Sequence, residues 1–271
     1  MIEIIMLSFN NADTIEKAIG SILMQKTDYP YMISIYDNGS TDNSRVVIDK
    51  IAKDNKNIKT NYNDVNIGWA KNFIKSIEFS KGDYLAFLDA DDHWVDDCKI
   101  QKQIECFNTY HCAIVHTSGI IRSDGVDKIL KVRELSAKDL IKVNPIIWQT
   151  VMVSAEKINL VISSLKHFIK KFKSEPMVCD YIVLIELIRH GIQGIDDVTA
   201  VHVKNKGSVS HPQKTSTVLL RHYRAALVRL SYSQKLNMGF VVEIMIIIRS
   251  IRRCFIQLRE NRAFRHQQNR R

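Results

Sequence analysis

The run Tyr84-Leu85-Ala86-Phe87-Leu88 ends directly in Asp89-Ala90-Asp91-Asp92, and no other junction constrains the chain as much. A short apolar run introduced by Lys81-Gly82-Asp83 reads as a strand buried in a parallel sheet. Carboxylates crowded at the C-terminal end of such a strand repel one another unless a divalent cation or ligand hydroxyls lie between them. Mg²⁺ or Mn²⁺ suits these hard oxygen donors and usually brings phosphate oxygens with it. The C-terminal edge of an open α/β sheet is also where ligands bind. The same residues would serve equally as an acidic turn capping the next helix, a place that Asp favours.

Strand-like and helix-like segments alternate through the first half, which predicts βαβ units and a mostly parallel sheet flanked by helices. Ile2 to Leu7, Met32 to Tyr36, Ile58 to Tyr62 and Tyr84 to Leu88 are the expected strands. Ile15, Ala18, Ile19, Ile22 and Leu23 recur at helical period behind Asp13 and Glu16, which have capping-box spacing. Val46, Val47, Ile48 and Ile51 mark a second helix, and Trp69 to Phe79 a third. Beyond the acidic run the pattern loosens. Helices are expected over Val95 to Tyr110, Leu135 to Val143, Val178 to His190, Val218 to Lys235 and Phe240 to Leu258. Strands are expected over Ala113 to Thr117 and Thr150 to Val153, a hairpin turn at Ser123-Asp124-Gly125, and an irregular basic loop over Lys166 to Pro176.

With 271 residues, 45% hydrophobic and 25% charged, the chain can bury a sizeable core. Its five cysteines form no C-x-x-C pair and no zinc-like spacing, so they read as free thiols of a reducing compartment. Met1 to Leu7 lacks a basic leader and reads as a first strand. The net charge of +10 is uneven: from Arg249 onward there are eight arginines and one glutamate, a local net of +7. Phe240 to Ile248 is apolar, but Glu243 interrupts it and Arg249 ends it. That is short of the ~20 residues a spanning helix takes. Continued through Arg252, Arg253, Phe255, Ile256 and Leu258, it has the pattern of a basic amphipathic helix lying on an anionic bilayer. The alternative is a helix packed on the domain with a solvated basic end. No aromatic-interleaved basic face points to nucleic acid, and none is expected as a partner.

Four motifs follow in order: Leu7-Ser8-Phe9-Asn10, Tyr36-Asp37-Asn38-Gly39-Ser40-Thr41-Asp42, Asn66-Ile67-Gly68-Trp69-Ala70-Lys71-Asn72 and Asp89-Ala90-Asp91-Asp92. Together they resemble the family 2 glycosyltransferases, with the Rossmann-like GT-A fold. The resemblance is clearest over residues 1–100 and extends to about residue 210. It implies a GT-A domain over residues 1–215, with a nucleotide-binding half (1–100) and an acceptor-binding half (101–215), then a helical basic tail over 216–271. It implies an inverting transfer from a nucleoside-diphosphate sugar, UDP-linked, to a glycan hydroxyl. On that likeness Ser8 and Asn10 line the base and ribose, and Asp37 accepts a hydrogen bond from the uracil imide. Gly68 lets backbone come close to the ligand. Lys71 stands where arginine is usual and keeps the charge without the bidentate fork. Asp89 contacts ribose or the metal's waters, Asp91 binds Mg²⁺ or Mn²⁺, and Asp92 supports from behind. Asp180, opening a helical run after Val178-Cys179, stands where the family has its general base, with Cys179 in place of the usual glutamate. Val201 to His211 resembles the closing segment, which brings Lys204, and His202 or His211, toward the diphosphate. Trp148 lies where the acceptor pocket begins. With the basic tail, the likeness implies a lipid-diphosphate-linked acceptor at the inner face of a bacterial cell membrane, as in O-antigen or capsule assembly, with the protein cytoplasmic and peripheral.

Each residue type also has a plainer use. Asp37 is a good turn residue, Ser8, Asn10 and Asp180 good caps, Gly68 a tight-turn glycine, Lys71 an exposed helix lysine and Trp148 a core ring. Two other functions share the acidic site. One is a nucleotidyltransferase, although Ser8-Phe9-Asn10-Asn11-Ala12-Asp13 has neither the glycine nor the lysine of a triphosphate loop. The other is a non-catalytic sugar-nucleotide-binding protein or membrane scaffold.

Overall fold

The computed structural model describes residues 1–142, 144–172, 179–204, 215–235, 245–256 and 258. The first half runs β1 (Ile2–Ser8), α1 (Ile15–Leu23), β2 (Tyr31–Asp37), α2 (Ser44–Asp54), β3 (Ile58–Tyr62), α3 (Trp69–Glu78) and β4 (Tyr84–Asp89). Then follow β5 (His93–Trp94), α4 (Lys99–Tyr110), β6 (Ile114–Ser123), β7 (Val126–Leu130), α5 (Ala137–Lys142), β8 (Met152–Ser154), α6 (Ala155–Ile158), α7 (Ile162–Phe172), α8 (Cys179–Leu187), β9 (Ile192–Lys204) and α9 (Thr215–Lys235). Residues 245–256 form a further helical segment.

The strands make one nine-stranded sheet in the order β3-β2-β1-β4-β8-β6-β9-β5, with β7 hairpinned onto β6. β1 pairs in parallel with β2 and β4, and β2 with β3, as βαβ units require. β8 runs antiparallel to β4 and carries the sheet into its second half. There β6 pairs antiparallel with β8 and parallel with β9.

Alternation along the central strands builds a core on each face of the sheet. Ile2, Ile4 and Met6 of β1, with Ala86 and Leu88 of β4, meet Ile15, Ala18, Ile19 and Ile22 of α1 and Ile100, Ile104 and Phe107 of α4. The intervening residues Ile5, Leu7, Leu85 and Phe87 face the other way, onto Phe73 and Ile77 of α3 and onto α8. This is the period of two that a pleated strand imposes, met by helices whose apolar residues recur every three or four positions. α8 is apolar almost all round, and Tyr181 to Ile185 are buried in sequence, which makes it an interior helix.

Four expectations change. The first helix is capped from Thr14 without a side-chain hydrogen bond, so Asp13 and Glu16 form no capping box. The helix expected from Val95 starts at Lys99, because residues 93–94 are drawn into β5 against β9. Lys166 to Phe172, expected in an irregular loop, lie in α7, where Leu165 and Phe168 are buried at helical spacing. Nearly all of β9 went unforeseen, because its polar start Gln193-Gly194-Ile195-Asp196-Asp197 hides the period of two.

Candidate active site

The sheet register lines up three strand ends. Ser8 pairs with Asp37, and Leu7 with Asp89, so the tips of β1, β2 and β4 form one polar edge. The loops that leave this edge are tied to one another. Asn10 adopts a left-handed conformation (φ 54°), which Asn tolerates better than most residues. Its amide donates to Ser40 Oγ at 2.9 Å, and its Oδ1 accepts the Thr41 amide at 2.8 Å. The Asn11 amide donates to Ser44 Oγ at 2.8 Å. Asn10, expected at the base and ribose, thus braces the loop after β2.

Asp37 is fully buried. Its Oδ1 accepts the Ser40 amide at 3.1 Å and Arg45 Nε at 2.8 Å, and its other oxygen accepts the Ser40 hydroxyl. Arg45, which the sequence did not single out, neutralises Asp37 and also donates to the Asn63 carbonyl. Nothing among the described residues bonds to Ser8 Oγ, although Ser8 is 3% exposed. A buried hydroxyl without a partner is costly, so one at a ligand-binding edge marks a place for a ligand atom.

The loop after β3 packs onto this edge through backbone. A Cβ on Gly39 (φ +77°) would lie 2.4 Å from the Val65 carbonyl carbon, so only glycine fits there. Asn38 Oδ1 accepts the Ile67 amide at 3.0 Å, and Asn66 Oδ1 accepts the Gly68 amide at 2.8 Å. Gly68 has φ +89° with open space where a Cβ would stand, which leaves its backbone approachable. Lys71 is exposed in the first turn of α3.

The acidic motif sits at the tip of β4 and is held from three directions. Asp89 Oδ2 accepts Nε2 of Gln149 at 2.9 Å, from the turn before β8. Asp92 is buried; its Oδ1 accepts the Val203 amide at 2.7 Å and its Oδ2 lies 3.0 Å from His202 Nδ1. Asp91 is half-exposed beside them. Burial first, then the charges of Asp92 and Asp91, push Asp89 well above the usual carboxylate range; His202 opposes this, and Asp180 adds to it. Asp180 lies in the first turn of α8, and its charge is the smallest of these influences on Asp89. Burial disfavours the imidazolium of His202, but the Asp92 hydrogen bond and the charges of Asp92, Asp89 and Asp91 outweigh it and raise its pKa.

These donors fit a hard divalent cation. Asp89 and Asp91 present carboxylate oxygens in a repulsive cluster, while both oxygens of Asp92 are already engaged. A second acidic group, Asp96, Asp97 and Cys98, brings ligand atoms within 4.8 Å of one another. Lys102 and Lys26 already pair with its carboxylates at 2.7 and 2.6 Å.

Lys204 is exposed at the end of β9, two residues beyond His202, and His211 lies outside the described residues. Trp148 is 8% exposed, with its ring 4.4 Å from that of Phe87 and 5.8 Å from that of Phe73. It packs behind the site as a core ring. Gln149, next to a tryptophan in an apolar stretch, carries no signal of its own in the sequence, whereas His202, expected toward the diphosphate, lies against Asp92.

The sequence model described as "Glycosyl transferase family 2" matches residues 3–175. The chain is 34% identical over 161 residues to TuaG of Bacillus subtilis (strain 168), named as a teichuronic acid biosynthesis glycosyltransferase; the match covers 58% of this chain and 63% of that protein. It is 37% identical over 128 residues, 46% of this chain and 49% of the relative, to WfaP of Escherichia coli, named as a UDP-Glc:alpha-D-GlcNAc-diphosphoundecaprenol beta-1,3-glucosyltransferase. The chain thus spans about half to two thirds of the curated relatives it matches. In fold it resembles S. aureus TarS 1-349 in complex with UDP-GlcNAc, with a TM-score of 0.56 at 14% identity over 82% of this chain and 66% of that one. It also resembles the mannosyltransferase PcManGT from Pyrobaculum calidifontis in complex with GDP-Man and Mn2+, with a TM-score of 0.59 at 12% identity over 97% and 73%. The likeness establishes the GT-A fold.

Proposed function

The chain belongs to glycosyl transferase family 2, and from that premise we propose that it is an inverting, metal-dependent enzyme that moves a sugar from a UDP-sugar to a glycan hydroxyl. One observation carries this reading: the sheet register brings Ser8, Asp37 and Asp89, at the tips of β1, β2 and β4, to one polar edge. Asp180, in the first turn of α8, would supply the base that a single displacement needs beside such an edge.

The donor's base would lie over the tips of β1 and β2. Its imide would take the place of the Ser40 hydroxyl at Asp37, and a donor oxygen or N–H would satisfy Ser8 Oγ. Asp91, with Asp89 beside it, would hold Mg²⁺ or Mn²⁺, which when bound supplies positive charge for the departing diphosphate. Lys71 and Lys204, both exposed, are available to the same diphosphate. Asp180 would accept the proton of the acceptor hydroxyl as its oxygen forms a bond to the anomeric carbon. The bond from that carbon to the diphosphate breaks on the opposite face, which inverts the centre. Gln149 and His202 hold Asp89 and Asp92 in place throughout.

The relative WfaP is named for a diphosphoundecaprenol-linked acceptor. A lipid-diphosphate-linked glycan is accordingly the proposed acceptor class, and the reaction would run at the inner face of a cell membrane. The deciding experiment incubates purified protein with a panel of sugar nucleotides and lipid-diphosphate acceptors, with and without EDTA, and reads product by mass spectrometry. A glycosylated acceptor with release of UDP, abolished by EDTA and by Asp91→Asn, supports the reading. Release of pyrophosphate, or donor binding without transfer to any acceptor, refutes it.

A further inference from the structure

The helical segment over residues 245–256 turns two different faces outward. Ile246, Ser250 and Cys254 are 3%, 5% and 7% exposed, and their spacing of four puts them on one stripe against the protein. The neighbouring stripe is Ile247, Ile251 and Phe255, with Ile248 beside it, at 44%, 51%, 68% and 58% exposed. Large apolar side chains grouped this way on a helix mark an interaction surface, unlike single exposed leucines. Round the same helix Arg249, Arg252 and Arg253 are also exposed.

The arginines are crowded rather than balanced. Partial desolvation, then the nearby charges of Arg229 and Arg249, lower Arg253 below its ordinary value. Arg229, on α9, stacks its guanidinium over the Tyr181 ring at 5.3 Å, and its buried Nε has no hydrogen-bond partner among the described residues. Among the described residues no carboxylate forms an ion pair with Arg229, Arg249, Arg252 or Arg253. Such a cluster next to an apolar stripe calls for a partner that is greasy and anionic at once.

We propose that this helix docks on an anionic phospholipid surface, with Ile247, Ile248, Ile251 and Phe255 among the acyl chains and Arg249, Arg252 and Arg253 at the headgroup phosphates. A second copy of the chain is a poorer occupant, because a two-fold contact sets these arginines against their own copies. No helix among the described residues is long and apolar enough to cross a membrane, so the contact is one of lying on the surface. The docking needs no particular donor or acceptor and stands apart from the chemistry above.

Flotation of the full chain with vesicles of phosphatidylcholine, alone or mixed with phosphatidylglycerol, tests it. The protein should float with the mixed vesicles, and rising salt should weaken binding. Ile251→Ser with Phe255→Ser should lower the apparent vesicle affinity about tenfold or more, while Ile251→Leu with Phe255→Leu retains it. Arg252→Gln with Arg253→Gln should remove the preference for the anionic lipid. Circular dichroism on each variant separates lost binding from lost folding. Equal binding to both vesicle types, unchanged binding of the serine variant in a folded state, or a dimer that the serine variant dissociates would overturn the proposal.

Discussion

His202 Nδ1 lies 3.0 Å from Oδ2 of Asp92, and the next amide, that of Val203, donates to Oδ1 of the same carboxylate at 2.7 Å. Asp92 is thereby spent on fastening β9 to the acidic loop, and the strand end that carries Lys204 hangs from it. Asp92→Ala should cost about 3 kcal/mol, because it leaves a buried amide and an imidazole without their acceptor. Asp92→Asn should cost less, since its side-chain oxygen still accepts from Val203. Urea midpoints of the three proteins check the order, and an alanine variant as stable as the parent would dismiss the clamp.

Gln149 acts on the donor side through Asp89. Gln149→Leu removes one charge-assisted hydrogen bond, worth about 2 kcal/mol, so kcat/KM should fall about thirtyfold. Gln149→Glu should be worse, as it sets another carboxylate beside Asp89. Steady-state kinetics with varied sugar nucleotide reads the effect; a Glu variant as active as the parent counts against a positioning role.

Asp180 and Asp91 should fail in different ways. Asp180→Asn keeps shape but cannot take a proton, so kcat should drop about 10²- to 10⁴-fold with donor binding retained. Asp91→Asn should weaken donor and Mn²⁺ binding together. Calorimetric titration of UDP with each variant, with and without Mn²⁺, distinguishes them, and loss of UDP binding in Asp180→Asn would remove the base assignment.

Lys99 is fully buried, with its Nζ 4.5 Å from the centre of the Trp94 ring and hydrogen-bonded to Gln103. Burial, opposed by Asp96, lowers its pKa to about 7. The unfolded chain holds that proton up to about pH 10.4. Between these values the unfolded state binds more protons, so stability should rise with pH across the window. Lys99→Met should be about 1–3 kcal/mol more stable at pH 7.5, after the cost of orphaning Gln103. The gain should shrink toward pH 10. Urea unfolding across that range measures it, and a gain independent of pH would show that Lys99 is charged in the fold.

Much of the first half was legible in the chain. The strands β1 to β4 follow from apolar runs, α1 and α3 from residues three and four apart, and Gly68 from a turn that needs positive φ. These signals act over a few residues, where backbone geometry dictates the pattern. The capping box at Asp13 misled, because two residues at the right spacing do not fix which backbone amides they meet. α7 hid behind Lys166 and Lys170, which are exposed on a helix whose Leu165 and Phe168 are buried.

By itself the sequence determined the α/β class, the polar tips of β1, β2 and β4, and a basic apolar helix near the end. Only the tertiary structure decided which distant residues meet those tips. It brought Gln149 to Asp89, His202 to Asp92, Arg45 to Asp37, and Asp180 into the field of Asp89. It also decided that Ile247, Ile251 and Phe255 face outward. Periodicity reports which side of an element is apolar, whereas the neighbours of each side depend on sheet order and helix packing. Those are settled by the burial of the whole core at once.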